Sequence, residues 1–211
     1  MDKLMTIRKR IPIEEIDYPF LLNLLKGYRF PRNKINSLLK QGLIIRVKKG
    51  IYIFGEEFSL KPYSLETLAN LIYGPSYISL EYALSFHGLI PERVEVITSI
   101  TPKRNKFYKT PVGCFSYQYL KNDKYYPGIT LHKLDEFHHI LMASKEKAII
   151  DKIYFMPKFD SLEDLKTNLY DELRIEYQDI NRLDLMKMQN IGHHYQDHNV
   201  NLLIQHIMEK S

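Results

Sequence analysis

The residues best suited to chemistry in this chain are polar and basic, and they crowd near its start. In the segment PRNKINSLLKQ, residues 31–41, the side chains of Asn33, Asn36, Ser37, Lys40 and Gln41 fall on one side of a helix. The stripe Ile35, Leu38 and Leu39 falls on the other, with Arg32 and Lys34 at the margins. Asn, Gln, Ser and Lys are residue types that meet base edges in a major groove. The next segment, LIIRVKKGIYIF, puts Arg46, Lys48 and Lys49 around a Lys49-Gly50 turn, where they can neutralise phosphates. Arg8, Lys9 and Arg10 precede the unit and are placed as an arm along the backbone or minor groove. One polar helix face alone would read as simple solvation. The basic hairpin behind it turns the reading toward duplex DNA.

Other chemistries find less support. The acids Glu92, Glu95, Glu146 and Asp151 are the candidates for a nucleic-acid-processing enzyme. Glu146 and Asp151 stand five apart on one predicted helix and so share no face. Glu95 lacks the lysine two residues on that a metal-dependent nuclease strand carries. No Walker-type or GxGxxG loop is present. Cys114 lies in an alternating run and reads as a strand residue rather than a nucleophile. His194 and His198 have the i, i+4 spacing of metal ligands, but GHHYQDHN reads as a polar helix break, so no metal or other cofactor is expected. His138 and His139 read as strand positions, one facing in and one out. Lys103, Arg104, Lys106 and Lys109, interleaved with Phe107 and Tyr108, form a second basic stretch near Tyr117, Tyr119, Tyr125 and Tyr126. These aromatics read as core or protein contact before nucleic-acid stacking.

Elements must hold these residues in place, and composition bounds what they can be. The chain has 211 residues, 45% hydrophobic and 26% charged, which suits one large or two small globular domains. One cysteine excludes an intrachain disulfide, no apolar run approaches a membrane span, and the start lacks a secretory pattern. A cytoplasmic protein with no membrane partner is expected. Residues 1–62 hold 13 Lys/Arg against 6 Asp/Glu, whereas residues 158–211 hold 6 against 10. The basic start implies a polyanionic partner and the acidic end a different task. Helices are predicted over Tyr18–Leu25, Pro31–Gln41, Ser64–Tyr73, Leu80–His87 and Lys145–Phe155. Further helices are predicted after Ser161, over Asp179–Met188 and over Asn199–Met208. Strand-like runs span Leu43–Lys48, Ile51–Phe54, Val94–Ile100, Gly113–Leu120, Ile129–Leu134 and Phe137–Met142. The fold class is therefore α+β. A winged helix over 1–60 precedes a domain over 61–211, with an antiparallel sheet of about four strands flanked by helices and a helical tail from about 158.

Three segments together, QGLIIRVKKGIYIF (41–54), YISLEYALSFHGLIPE (77–92) and ASKEKAIIDKIY (143–154), resemble the AbiEi family. These are the antitoxins of AbiE-type (type IV) toxin–antitoxin systems, and the likeness runs from about residue 17 to 157. It implies an N-terminal winged helix that binds operator DNA and represses its own operon. It also implies that the larger domain counteracts a nucleotidyltransferase-like toxin in abortive infection against phage. Such a toxin needs a Gly-Ser and a paired-aspartate strand; the chain contains neither Gly-Ser nor Asp-x-Asp, so it is read as the non-enzymatic partner. The alternatives from other classes are a nucleic-acid-processing enzyme or a protein-interaction scaffold with a winged-helix targeting domain.

Overall fold

The computed structural model describes residues 8, 9 and 11–209, and the chain is α+β. The first elements are β1 (Glu15–Asp17), α1 (Tyr18–Leu24), α2 (Pro31–Lys40), β2 (Ile44–Lys48) and β3 (Ile51–Phe54). Asp17 caps α1 by accepting from the Phe20 N–H at 2.8 Å, and Pro19 sits in the first turn, where its missing N–H costs nothing. Pro31 opens α2 in the same way, and Gly42 (φ +70°) ends it in the left-handed conformation. The tip of the β2–β3 hairpin is Lys49-Gly50, and Gly50 at φ +89° supplies the backbone angle the turn requires.

A third strand completes this sheet. β1 pairs antiparallel with β3, so the order is β1-β3-β2. Ile16, Ile44, Tyr52 and Phe54 face the helices and bury against Leu21, Leu25, Ile35 and Leu38. Val47 and Ile53 belong to the other large cluster, the core of the rest of the chain. The hairpin therefore lies between the α1–α2 pair and the larger unit.

The larger unit contains α3 (Leu65–Ile72), β4 (Tyr77–Ile78), α4 (Leu80–Phe86), β5 (Ile97–Thr101), β6 (Lys106–Thr110) and β7 (Gly113–Tyr119). There follow α5 (Asn122–Tyr125), β8 (Ile129–Lys133), β9 (His139–Ala143) and α6 (Lys145–Tyr154). The tail is α7 (Leu162–Thr167), a π-helical turn (Asn168–Glu172), α8 (Tyr177–Asn181), α9 (Leu185–His193) and α10 (His198–Met208). The sheet has six strands in the order β6-β7-β5-β4-β9-β8, not about four. Nor is it wholly antiparallel, since β5 runs parallel to β7 and β4 parallel to β9. The two strands absent from the sequence reading are β4, only two residues long, and β6, whose KFYKT is too polar to stand out. Because β4 is so short, the Asn70 carboxamide substitutes for a strand neighbour: it accepts from the Leu141 N–H at 2.7 Å and reaches the Leu141 carbonyl at 3.3 Å.

Serine caps start three helices as their sequences suggest. Ser64, Ser144 and Ser161 accept from the backbone N–H of Thr67, Lys147 and Asp164. Helix α6 is buried at seven positions, among them Lys147 and Asp151. The helix expected over Asp179–Met188 is two helices instead, α8 and α9, interrupted where Asp184 caps the second.

Candidate nucleic-acid interface

Helix α2 and the β2–β3 hairpin enclose an open groove of about 370 Å³. Arg32 and Asn36 come from the helix; Arg46, Lys49 and Gly50 come from the hairpin. Its apolar floor includes Ile35, Leu39 and Tyr52, and among the described residues its lining holds no acidic side chain. Arg32, Asn33, Asn36 and Lys40 are exposed along α2, and Arg46 and Lys49 are exposed on the hairpin. Ser37 is half-buried and accepts from the Gln41 amide at 3.0 Å, so it is less available to a ligand than its neighbours. At the margin, the Lys34 ammonium sits 5.4 Å from the Tyr28 ring centre. The groove thus gathers guanidinium, ammonium and amide donors against open solvent, suited to a polyanion with hydrogen-bonding edges.

The two buried acids of this unit, Glu14 and Glu15, are directed away from the groove. Glu14 is buried, and its Oε1 accepts from Arg8 and from the Leu60 and Lys61 N–H groups, each at 3.1 Å. Glu15, also buried, accepts from the Ser64 N–H and from His138. Glu14, just before β1, and Glu15, its first residue, thereby fix the linker between the units.

Two basic residues assigned to DNA take structural roles. The register of the hairpin shifts between Arg46 and Lys48, and this bulge breaks the alternation that would have kept both on one face. Lys48 turns to the larger unit. Its ammonium donates to the Ile72 carbonyl at 2.6 Å and lies 4.6 Å from the Tyr108 ring centre. Arg8 is 2% exposed, with its guanidinium 3.9 Å over the Phe54 ring, paired with Glu14 and bonded to the Ile11 and Phe58 carbonyls at 2.8 Å. It is a core residue, not part of an arm. Lys9 is exposed. Arg10, the third member of that run, lies outside the described residues.

The other sequence candidates separate. Glu92 pairs with Arg174, and Glu146 accepts from the Ser144 hydroxyl at 2.8 Å. Asp151 is fully buried. These acids each have their own partners and do not converge on a shared cavity. His198 contacts the Phe159 carbonyl at 3.1 Å, and the break before α10 takes it off the His194 helix face. Among the described residues no three His, Cys, Asp or Glu side chains gather as a metal-binding group. Tyr117 and Tyr125 are core residues, whereas Phe107, Tyr119 and Tyr126 are exposed. Lys103 donates to the Gly74 carbonyl at 2.6 Å, and Arg104, Lys106 and Lys109 are exposed. Cys114 is half-buried on β7.

Two polar assemblies lie outside the groove. At the junction of the units, His138 Nε2 is 3.0 Å from Glu15 and Nδ1 is 2.7 Å from Asp135. Burial alone would lower the imidazole pKa. The hydrogen bonds to Asp135 and Glu15 outweigh it and hold His138 above its ordinary value. Asp135 in turn is held well below the usual carboxylate range, chiefly by the His138 hydrogen bond. In the core, Asp151 accepts from Tyr77 at 3.0 Å, Ser79 at 2.7 Å and Tyr195, and lies 3.3 Å from the Lys147 ammonium. Desolvation lowers the Lys147 ammonium and, with the Asp151 charge, pushes the Tyr195 phenol far upward. None of these groups reaches solvent, so this network organises α6, β4 and the turn before α10.

The class defined by fold and site is an α+β protein with a basic groove between one helix and one hairpin. Scanned against protein-family models and searched against curated proteins, the chain matches none.

Proposed function

We propose that the chain binds double-stranded DNA, with the first unit acting as a winged helix. The order strand, helix, helix, two-stranded hairpin, with the first strand paired to the last, supports this reading. Helix α2 reads base edges in the major groove through Asn33 and Asn36. Arg32, Lys40, Arg46 and Lys49 hold phosphates on either side. The observation that carries the proposal is the groove bringing Arg32, Asn36, Arg46 and Lys49 together with, among the described residues, no acidic side chain in its lining.

The resemblance to AbiEi proteins extends the proposal. On that reading the chain is an antitoxin and autorepressor, its DNA is the operator of its own operon, and the unit after residue 61 counteracts a nucleotidyltransferase-like toxin. The test has two arms. The full chain is titrated against a duplex carrying its own upstream region and against an unrelated duplex, and a nucleotidyltransferase encoded beside it is expressed with and without the chain. Tighter binding to the upstream duplex and rescue of growth are expected. No duplex binding at low salt would defeat the first half, and no adjacent toxin the second.

A further inference from the structure

A second cavity, of about 310 Å³, opens where β1 and α1 meet α3 and the β8–β9 turn. Its walls come from both units. Phe20, Leu71 and Phe137 line it, and all three are large apolar side chains left partly exposed. Its floor is polar. Glu15 and His138 are each about 3% exposed and hydrogen-bonded to each other. Asp17 lines it as well, as does Thr67, whose Oγ1 is buried and hydrogen-bonds to nothing among the described residues. An apolar slot at a junction between units, with a few convergent polar groups and a histidine of shifted pKa, has the make-up of a small-molecule site.

The charges around it select the ligand. Two carboxylates, Glu15 and Asp17, stand with one imidazole pair, His138 and His139, and among the described residues the lining holds no lysine or arginine. Glu15 is already paired with His138 and the Ser64 N–H, whereas the exposed Asp17 keeps its carboxylate at the cavity wall, where it repels an anion and attracts an ammonium.

We propose that this cleft binds a small aromatic amine, with its ring between Phe20, Leu71 and Phe137 and its ammonium toward Asp17. The site is independent of the DNA groove, and its test contains no DNA. The full chain is titrated with tryptamine, and in parallel with indole-3-propionate as the anionic counterpart. A ligand of this size binds with a Kd of about 1 mM or below. At about 10 mM, tryptamine therefore raises the melting midpoint by about 3 °C, and the anion does not. Leu71 is half-exposed, so Leu71→Arg keeps the melting midpoint of the free protein while blocking the slot, and tryptamine binding is lost. Asp17→Asn, which keeps a side-chain cap for α1, weakens binding about fivefold. Absence of saturable tryptamine binding in the wild type, equal binding of the anion, or wild-type affinity in Leu71→Arg would each overturn the proposal.

Discussion

The hairpin separates two lysines that neighbour each other in sequence, and this yields a sharp prediction. If Arg32, Lys40, Arg46 and Lys49 each neutralise one phosphate, the logarithm of the DNA association constant falls with the logarithm of salt at a slope of about −3.6. Affinity then drops about 150-fold between 50 and 200 mM salt. Removing Arg46 and Lys49 together halves the slope to about −1.8, and the drop becomes about 12-fold. Lys48→Ala behaves differently, because its ammonium is bonded to the Ile72 carbonyl and packed on Tyr108. It leaves the slope at the wild-type value and costs about 1 kcal/mol of stability. The assay is fluorescence anisotropy of a labelled duplex with full-length variants across a salt series, with thermal melts alongside. A Lys48→Ala slope shallower by about one unit, with unchanged melting, would refute the assignment of Lys48 to the junction.

Arg8→Ala strips the buried Glu14 of its cation and destabilises the protein by about 3–5 kcal/mol, with the salt slope unchanged, as melts and anisotropy will show. Asn36→Ala narrows the gap between upstream and unrelated duplexes by about 1–3 kcal/mol, because it removes a base-edge contact and no charge; competition binding measures this. The His138 pKa lies above its ordinary value of 6.5 in the folded chain. Its stabilising contribution is therefore complete below about 6.5 and is lost as the pH rises through the raised native value. The melting difference between wild type and His138→Gln should shrink across that range. Asp151→Asn leaves Lys147 buried without its anion and costs about 3–5 kcal/mol; Lys147→Met combined with Asp151→Leu costs less than the two singles added, as a double-mutant cycle in denaturant will show.

Local signals made much of the fold legible. The Asp17, Ser64, Ser144 and Ser161 caps, the Gly42 stop and the Lys49-Gly50 turn each act within a few residues, and they bound helices and a hairpin that the sequence predicts. Long-range pairing was not legible. Strand β1 is three residues long and exists because β3 offers it an edge. Strand β4 is two residues held between β5 and β9. The groove residues of α2 followed from helical periodicity, since Ile35 and Leu38 had to face inward. Lys48 was misplaced because alternation fails at a bulge, and a bulge leaves no mark in residue type. Arg8 was misplaced because its partner Glu14 is itself buried, so a basic run of three looked like a solvated arm. The junction pair Glu15 and His138 stands 123 residues apart, beyond any local pattern.

Amide NMR of the isotope-labelled full chain, titrated with a duplex of its upstream region, tests the DNA-binding account most directly. The account predicts shifts concentrated in residues 32–41 and at Arg46, Lys49 and Gly50, with α9 and α10 unmoved. Shifts confined to the tail helices, or none in the groove at saturating duplex, would contradict it.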